Sequence, residues 1–241
     1  LFAAGMIVFG ERLAAGTGPL PFVTLPTAAF GGALLTTFTL YRISTRAGRT
    51  SVATLLLAGV ALGALAGAIT GVLTFISDDR QLRDLTFWSL GSLGGATWAK
   101  TATVAPAILP VLVAVPFLAR GLNALTLGEA EAFHLGIAVE RLKRTAIFLV
   151  AVAVGASVAV SGIIGFVGIV VPHLLRLAVG PDHRVLLPAS ALLGGMLLVL
   201  SDMLARTLVQ PAELPIGIVT AAIGAPFFLW LLLAGRRSLA S

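Results

Sequence analysis

Three groups of polar residues have types and spacings that could do chemistry. Pro172, His173, Arg176, Pro181, Asp182, His183 and Arg184 gather two imidazoles and a carboxylate in one short stretch, and imidazole and carboxylate are metal ligands. Two histidines and an aspartate are nevertheless a poor ligand set, and the prolines put them in a turn. The stretch reads as a structural corner in which Asp182 and Arg184 cap helix ends. Asp202 and Arg206 have the i,i+4 spacing of an ion pair on one helix face. Segment 120–144, RGLNALTLGEAEAFHLGIAVERLKR, collects Glu129, Glu131 and His134, and its histidine reads as part of a surface, not as a metal ligand. No HExxH, serine–histidine or paired-aspartate arrangement is present. With no cysteine, disulfides, thiolate metal sites and thiol nucleophiles are excluded.

The elements that position these groups are set by an apolar composition. The chain is 58% hydrophobic and 11% charged, with a mean hydropathy of +1.06. A soluble domain carries about a quarter charged residues, so the composition is that of an integral membrane protein. Candidate spans, at about 20 apolar residues each, are 1–10, 20–41, 52–76, 102–119, 145–171, 185–205 and 216–234. None shows the alternation of a membrane β-barrel. Pro106, Pro110 and Pro116 predict kinks in one span. The 27 glycines suit close contact between membrane helices.

The basic residues set orientation. Arg42, Arg46 and Arg49 occupy one loop, Arg120, Arg141, Lys143 and Arg144 another, and Arg236 and Arg237 the C-terminal segment. The positive-inside rule places all three in the cytoplasm, so the net charge of +6 is no sign of nucleic-acid binding. Loop 77–101 has mixed charge and is assigned outside. Loop 172–184, with Arg176 and Arg184, should also be inside. Segment 145–171 must then leave the cytoplasm and return, although two full helices need about 40 residues. The expectation is one full helix, a break at Ser161-Gly162 and a short or tilted return.

Residues 162–228, GIIGFVGIVVPHLLRLAVGPDHRVLLPASALLGGMLLVLSDMLARTLVQPAELPIGIVTAAIGAPFF, closely resemble the C-terminal part of the permease subunits of bacterial ABC importers for iron-siderophores, haem and vitamin B12. The resemblance runs back through nearly the whole chain. It implies an all-α, polytopic helix bundle of the ten-helix type II importer fold. Residues 1–241 would form a single transmembrane permease domain, starting within the third helix with the N-terminal helices missing. The short return helix also belongs to that family.

The resemblance implies roles for particular residues. Segment 120–144 resembles the coupling segment that docks on the ATPase, with Leu127, Gly128, Glu129, Glu131, Ala132, Leu135, Gly136 and Arg141 as its residues. Arg206 would receive an acidic residue of a periplasmic binding protein, with Glu213 and, more weakly, Arg80 and Arg83 on the docking surface. Trp88, Gly91, Gly94 and Gly95 would line the outer mouth of the pathway, with Leu62 and Leu65 in the glycine-rich span 52–76 along it. The corner at 172–184 would face the cytoplasm near the ATPase.

The span centres hold almost no ionisable residues, which argues against a proton- or sodium-coupled carrier. No Walker A motif occurs, so ATP and Mg would be held by a separate ATPase. The expected function is therefore a non-enzymatic channel subunit in the bacterial inner membrane, binding no cofactor or metal itself. Its partners would be a second copy, an ATPase dimer, a periplasmic binding protein and membrane lipid. Residues 78–144 look most like haem permeases, with ferric siderophore and cobalamin as the alternative cargoes. A stand-alone channel or secondary carrier is the alternative of a different class.

Overall fold

Helices make up nearly all of the described chain. The computed structural model describes residues 1–14, 21–46, 49–209 and 214–238. Helix α1 (Phe2–Ala14) precedes α2 (Pro21–Ser44), and a small hairpin, β1 (Thr45–Arg46) and β2 (Arg49–Thr50), leads into α3 (Val52–Phe75). Then come α4 (Asp79–Leu90), α5 (Trp98–Leu125), the short α6 (Glu129–His134) and α7 (Val139–Ser161). The last three are α8 (Val167–Val179), α9 (His183–Leu208) and α10 (Ile216–Ser238). Among the described residues α3, α5, α7 and α9 are long and apolar enough to cross a membrane, and this is a multi-pass membrane protein.

The ends of these helices are written in polar residues. Ser51 caps α3 by accepting the Thr54 N–H at 3.3 Å. Thr97 caps α5 by accepting the Lys100 N–H at 3.3 Å. Each satisfies one of the donors that a helix start leaves unpaired. Helix α5 runs unbroken past Pro106, Pro110 and Pro116.

Segment 145–171 divides as parity requires. Helix α7 has 23 residues, about 35 Å at 1.5 Å per residue, and suffices to cross. It stops at Ser161, and α8 starts at Val167 with 13 residues, about 20 Å, too short to cross alone. The break passes through two left-handed residues, Gly162 at φ 70° and Phe166 at φ 67°.

Two expectations need correction. Loop 77–101 contains a helix, α4, which the charges of its first turns had hidden. Its start is a reciprocal capping box: Asp78 Oδ1 accepts the Gln81 N–H at 2.8 Å, and Gln81 Oε1 accepts the Asp78 N–H at 3.3 Å. The Pro172–Arg184 stretch is also not all turn. Pro172, His173 and Arg176 lie within α8, where tertiary packing overrides proline's preference for helix starts.

The chain forms two compact units, Leu1–Thr86 with Thr97–Val160, and Phe87–Ala96 with Ser161–Ser241. In the first, Ala4 and Val8 of α1 meet Leu73 of α3 and Leu85 of α4 in an apolar cluster. Gln81 adds a hydrogen bond from its Nε2 to the Val8 carbonyl at 3.1 Å. In the second, α8 and α10 pack on α9 and on each other, and Ile216 at the start of α10 is almost wholly buried. Residues 87–96 close the helix break of this unit. The Ser92 N–H donates to the Ser161 carbonyl at 2.8 Å, and the Ile163 N–H to the Trp88 carbonyl at 3.4 Å.

At Gly162 a Cβ would collide with the Trp88 carbonyl oxygen, and a side chain there would also hold a left-handed backbone at a cost of about 1–3 kcal/mol. Gly162→Ala should lower the melting temperature of the detergent-solubilised protein by several degrees. Gly168→Ala, in α8 with open space around the added carbon, should not. Equal melting temperatures for the two variants would remove this contact from the features that hold the break.

Candidate coupling and docking sites

The first site is built on α6. Gly128 precedes it at φ 121° and Gly136 follows it at φ 80°, so the chain turns sharply at both ends. A Cβ on Gly128 would run into the Glu131 carboxylate. The helix stands on Ala132, which is completely buried and clusters with Ala124 of α5 and Val139 of α7. Leu127, Phe133 and Leu135 are all more than 60% exposed. Large apolar side chains grouped at a glycine-bounded projection form a patch suited to a protein surface. Glu131 and His134 are exposed beside it, and the His134 ring meets Phe133 edge-on at 6.1 Å between centroids. Arg141 is exposed in the first turn of α7. Of the residues proposed from sequence, Ala132 is thus the foot of the helix, while Leu127, Glu131 and Arg141 are accessible.

A polar junction holds the flank of α6, and sequence reading missed it. The Lys143 ammonium of α7 pairs with Glu129 Oε2 of α6 at 2.7 Å, donates to the Thr50 carbonyl at 3.0 Å and contacts Glu140 Oε1 at 3.4 Å. Glu140 accepts the Thr50 N–H at 3.1 Å and its hydroxyl at 3.0 Å. The Lys143 side chain is only 9% exposed, whereas Arg141 and Arg144 beside it are exposed. The available signal was the helical spacing of Glu140 and Lys143, which sets them on one face.

The second site lies at the far end of α9. Arg206 is in its last turn, where a cation complements the helix dipole. Its Nε donates to Asp202 Oδ2 at 2.9 Å, with the arginine side chain 43% exposed. The expected ion pair is present, and it holds the guanidinium at the surface. Glu213 lies outside the described residues. Arg80 and Arg83 are exposed on α4.

Trp88 is half-buried and Gly91 buried. Gly91 has φ 67°, and a Cβ there would meet the Ile163 carbonyl oxygen, so this glycine has a packing reason of its own. Gly94 and Gly95 are exposed; on α3, Leu62 is half-buried and Leu65 exposed.

At the other end of α9, Asp182 is the N-cap, accepting the Arg184 N–H at 2.9 Å. The expectation that the Arg184 side chain caps a helix needs correction. Arg184 sits in the first turn of α9, where the dipole disfavours a cation, and Arg176 in the last turn of α8 holds the favourable place. Among the described residues no three histidine, aspartate or glutamate side chains gather as a metal-ligand set.

Comparison with known proteins places this architecture. Residues 1–234 match the FecCD transport family, and the chain belongs to that family. It is 50% identical over 87% of its length to the hemin transport system permease protein HmuU of Yersinia pestis, of which it covers 62%. It is 44% identical over 93% of its length to the cobalamin import system permease protein BtuC of Halobacterium salinarum, again covering 62%. It is 48% identical over 89% of its length to the vitamin B12 import system permease protein BtuC of Vibrio parahaemolyticus, covering 64%. The chain thus spans a little under two thirds of these curated relatives. A solved structure described as an inward-facing conformation of an ABC transporter assigned to the metal-chelate type superposes with a TM-score of 0.78 and 34% identity. That match covers 97% of this chain and 74% of the other.

The glycine before α6 gives a direct test. Gly128→Ala should strain the turn and displace Glu131, so backbone hydrogen exchange across residues 129–135 should rise severalfold. Gly136→Ala should act less, because the space around its added carbon is open. Unchanged exchange in Gly128→Ala would mean that the turn does not hold α6.

Proposed function

We propose that this chain is the membrane-channel subunit of an ATP-driven importer in a bacterial inner membrane. Two copies would surround the pathway, and an ATPase dimer would drive it. A periplasmic binding protein would deliver an iron complex or related metal chelate. Residues 1–241 act in this reading as one permease domain, and segment 120–144 as its ATPase-coupling part. The observation that carries the reading is α6, a six-residue helix on a buried foot with an exposed apolar patch, in a chain of the FecCD transport family. Such a lever has a use when motion arrives from a separate protein. ATP and Mg would be bound by that protein, and this chain would carry out no catalysis.

Haem is the proposed cargo. The 50% identity to a hemin permease exceeds the 44% and 48% to two cobalamin permeases, and the metal-chelate transporter structure fits the same chemical class. Cobalamin is the runner-up on those identities, followed by ferric siderophores. In this reading Leu62, Leu65, Trp88, Gly91, Gly94 and Gly95 contribute to the pathway, whose apolar wall holds cargo weakly enough to release it. Arg206, with Glu213, Arg80 and Arg83, forms the landing surface for the binding protein, the guanidinium being pre-oriented by Asp202.

The deciding measurement is uptake into proteoliposomes of the whole complex with haem, cobalamin and a ferric siderophore panel. Preferential ATP-dependent uptake of haem is expected. A preference for cobalamin or a siderophore replaces the cargo, and full-rate downhill movement by this chain alone replaces the importer with a channel or carrier.

Two substitutions divide the surfaces. Arg206→Glu should weaken binding-protein affinity at least tenfold, about 1.4 kcal/mol, and leave ATPase assembly intact. Unchanged affinity removes Arg206 from the landing surface. Reversal of Glu129 and Glu131 to lysine should abolish stimulation of ATP hydrolysis by loaded binding protein, and normal stimulation would count against the role of α6.

A further inference from the structure

We infer that Lys143 is a positioning residue that joins α6 and the β1–β2 hairpin into one block, so that displacement of α6 is passed to α2 and α3. This rests on the reading that α6 receives motion from an ATPase.

The geometry is that of a fully used ammonium. A lysine has three N–H donors and no acceptor, and Lys143 faces three oxygens on three separate segments: Glu129 Oε2 at 2.7 Å, the Thr50 carbonyl at 3.0 Å and Glu140 Oε1 at 3.4 Å. Thr50 is held from both sides of its backbone. Its carbonyl accepts from Lys143, while its N–H and hydroxyl donate to Glu140. Thr50 is itself 5% exposed, and its hydroxyl lies 3.0 Å from that of Thr45 on the paired strand. The register Thr45 to Thr50 and Arg46 to Arg49 makes the hairpin a fixed link. Strand β1 follows α2 without a gap, and α3 begins two residues after Thr50.

The apolar foot of α6 grips α5 and α7 through Ala124 and Val139. Polar contacts hold the hairpin to α7, and Lys143 touches both it and α6. At 9% exposure this ammonium is screened less than a surface charge. Glu129 is the exposed member of the set, with a side-chain exposure of 56%, so the tether breaks most easily there. Movement of α6 therefore reaches α7 through packing and reaches α2 and α3 through the hub. Coupling through such a contiguous network is a claim that mutation can test.

The test uses the whole complex in proteoliposomes and reads cargo moved per ATP hydrolysed, with haem, cobalamin and a ferric siderophore panel as probes. Lys143→Met keeps the aliphatic stem and removes the charge; the ratio should fall at least threefold, and Lys143→Arg should restore part of it. Glu129→Gln should lower it in the same direction, since it weakens the tether from the other end. Lys100→Met, at an exposed lysine in the first turn of α5 outside the proposed sites, should leave it unchanged. In parallel, hydrogen exchange of the purified chain should rise at residues 49–52 in Lys143→Met and not in Lys100→Met. If Lys143→Met does not fold, Lys143→Arg and Glu129→Gln carry the comparison. A wild-type complex that hydrolyses ATP without moving any of these probes overturns the importer reading. A transporting wild type whose Lys143 and Glu129 variants keep its cargo-to-ATP ratio overturns the junction instead.

Discussion

A helix that breaks among apolar surroundings must find partners for the backbone groups it frees, because hydrocarbon offers none. The break between α7 and α8 is the point where this protein meets that demand, and the second unit is arranged around it. The Ser161 carbonyl takes the Ser92 N–H, and the Trp88 carbonyl takes the N–H groups of Gly91 and Ile163. These bonds require two backbones to approach more closely than side chains allow. Gly91 and Gly162 permit it, since an added carbon at either would collide with the carbonyl opposite. The same unit holds the short α8, Phe166 at positive φ at its head and the buried Ile216 where α10 starts.

Charge is rationed by the same solvent. With 11% charged residues, the chain has few ion pairs to place, and the prominent ones are at helix ends. Asp202 and Arg206 share the last turns of α9, and Glu140 and Lys143 the first turn of α7. The exposed Asp202–Arg206 pair contributes little to stability, so its value lies in orientation, while the Lys143 end of the other pair is buried. Asp202 aims a guanidinium, and Lys143 aims a helix. The apolar lengths between these ends carry packing and offer little chemistry.

Apolar lengths and charge placement were legible in the sequence, and local turn geometry was less so. The spans showed as apolar lengths, and parity called for a break within 145–171, because arginines on both sides demanded an even number of crossings; the Ser161-Gly162 pair marked where. Helix α4 was hidden by its charges, although Asp78 and Gln81 spell a capping box. Pro172 read as a turn because proline disfavours helix interiors in isolation, while in the folded chain it lies inside α8. Segment 120–144 stood out through its family resemblance at Gly128, Glu129, Glu131 and Gly136, and the fold puts the short helix α6 there. Its anchor was not legible, because Thr50 lies about ninety positions from Glu140 and Lys143, and no local pattern reports a contact so distant. Of three basic residues in a row of four, only the fold shows that Lys143 is the one turned inward.

The shortness of α6 explains why such an anchor is needed. An isolated helix of six residues does not hold itself together, since the cost of its first turn is not recovered over so few hydrogen bonds. Its rigidity has to be lent by its surroundings. Gly128 and Gly136 set its ends, Ala132 plants it on α5 and α7, and Lys143 fixes its flank to the hairpin. A longer helix would be stiff in itself but would rock as a rod on its base. A short one bound on three sides passes a displacement on to the segments that bind it. In the proposed importer, this mechanical connection would be the route by which an event at the surface reaches the helices within the membrane.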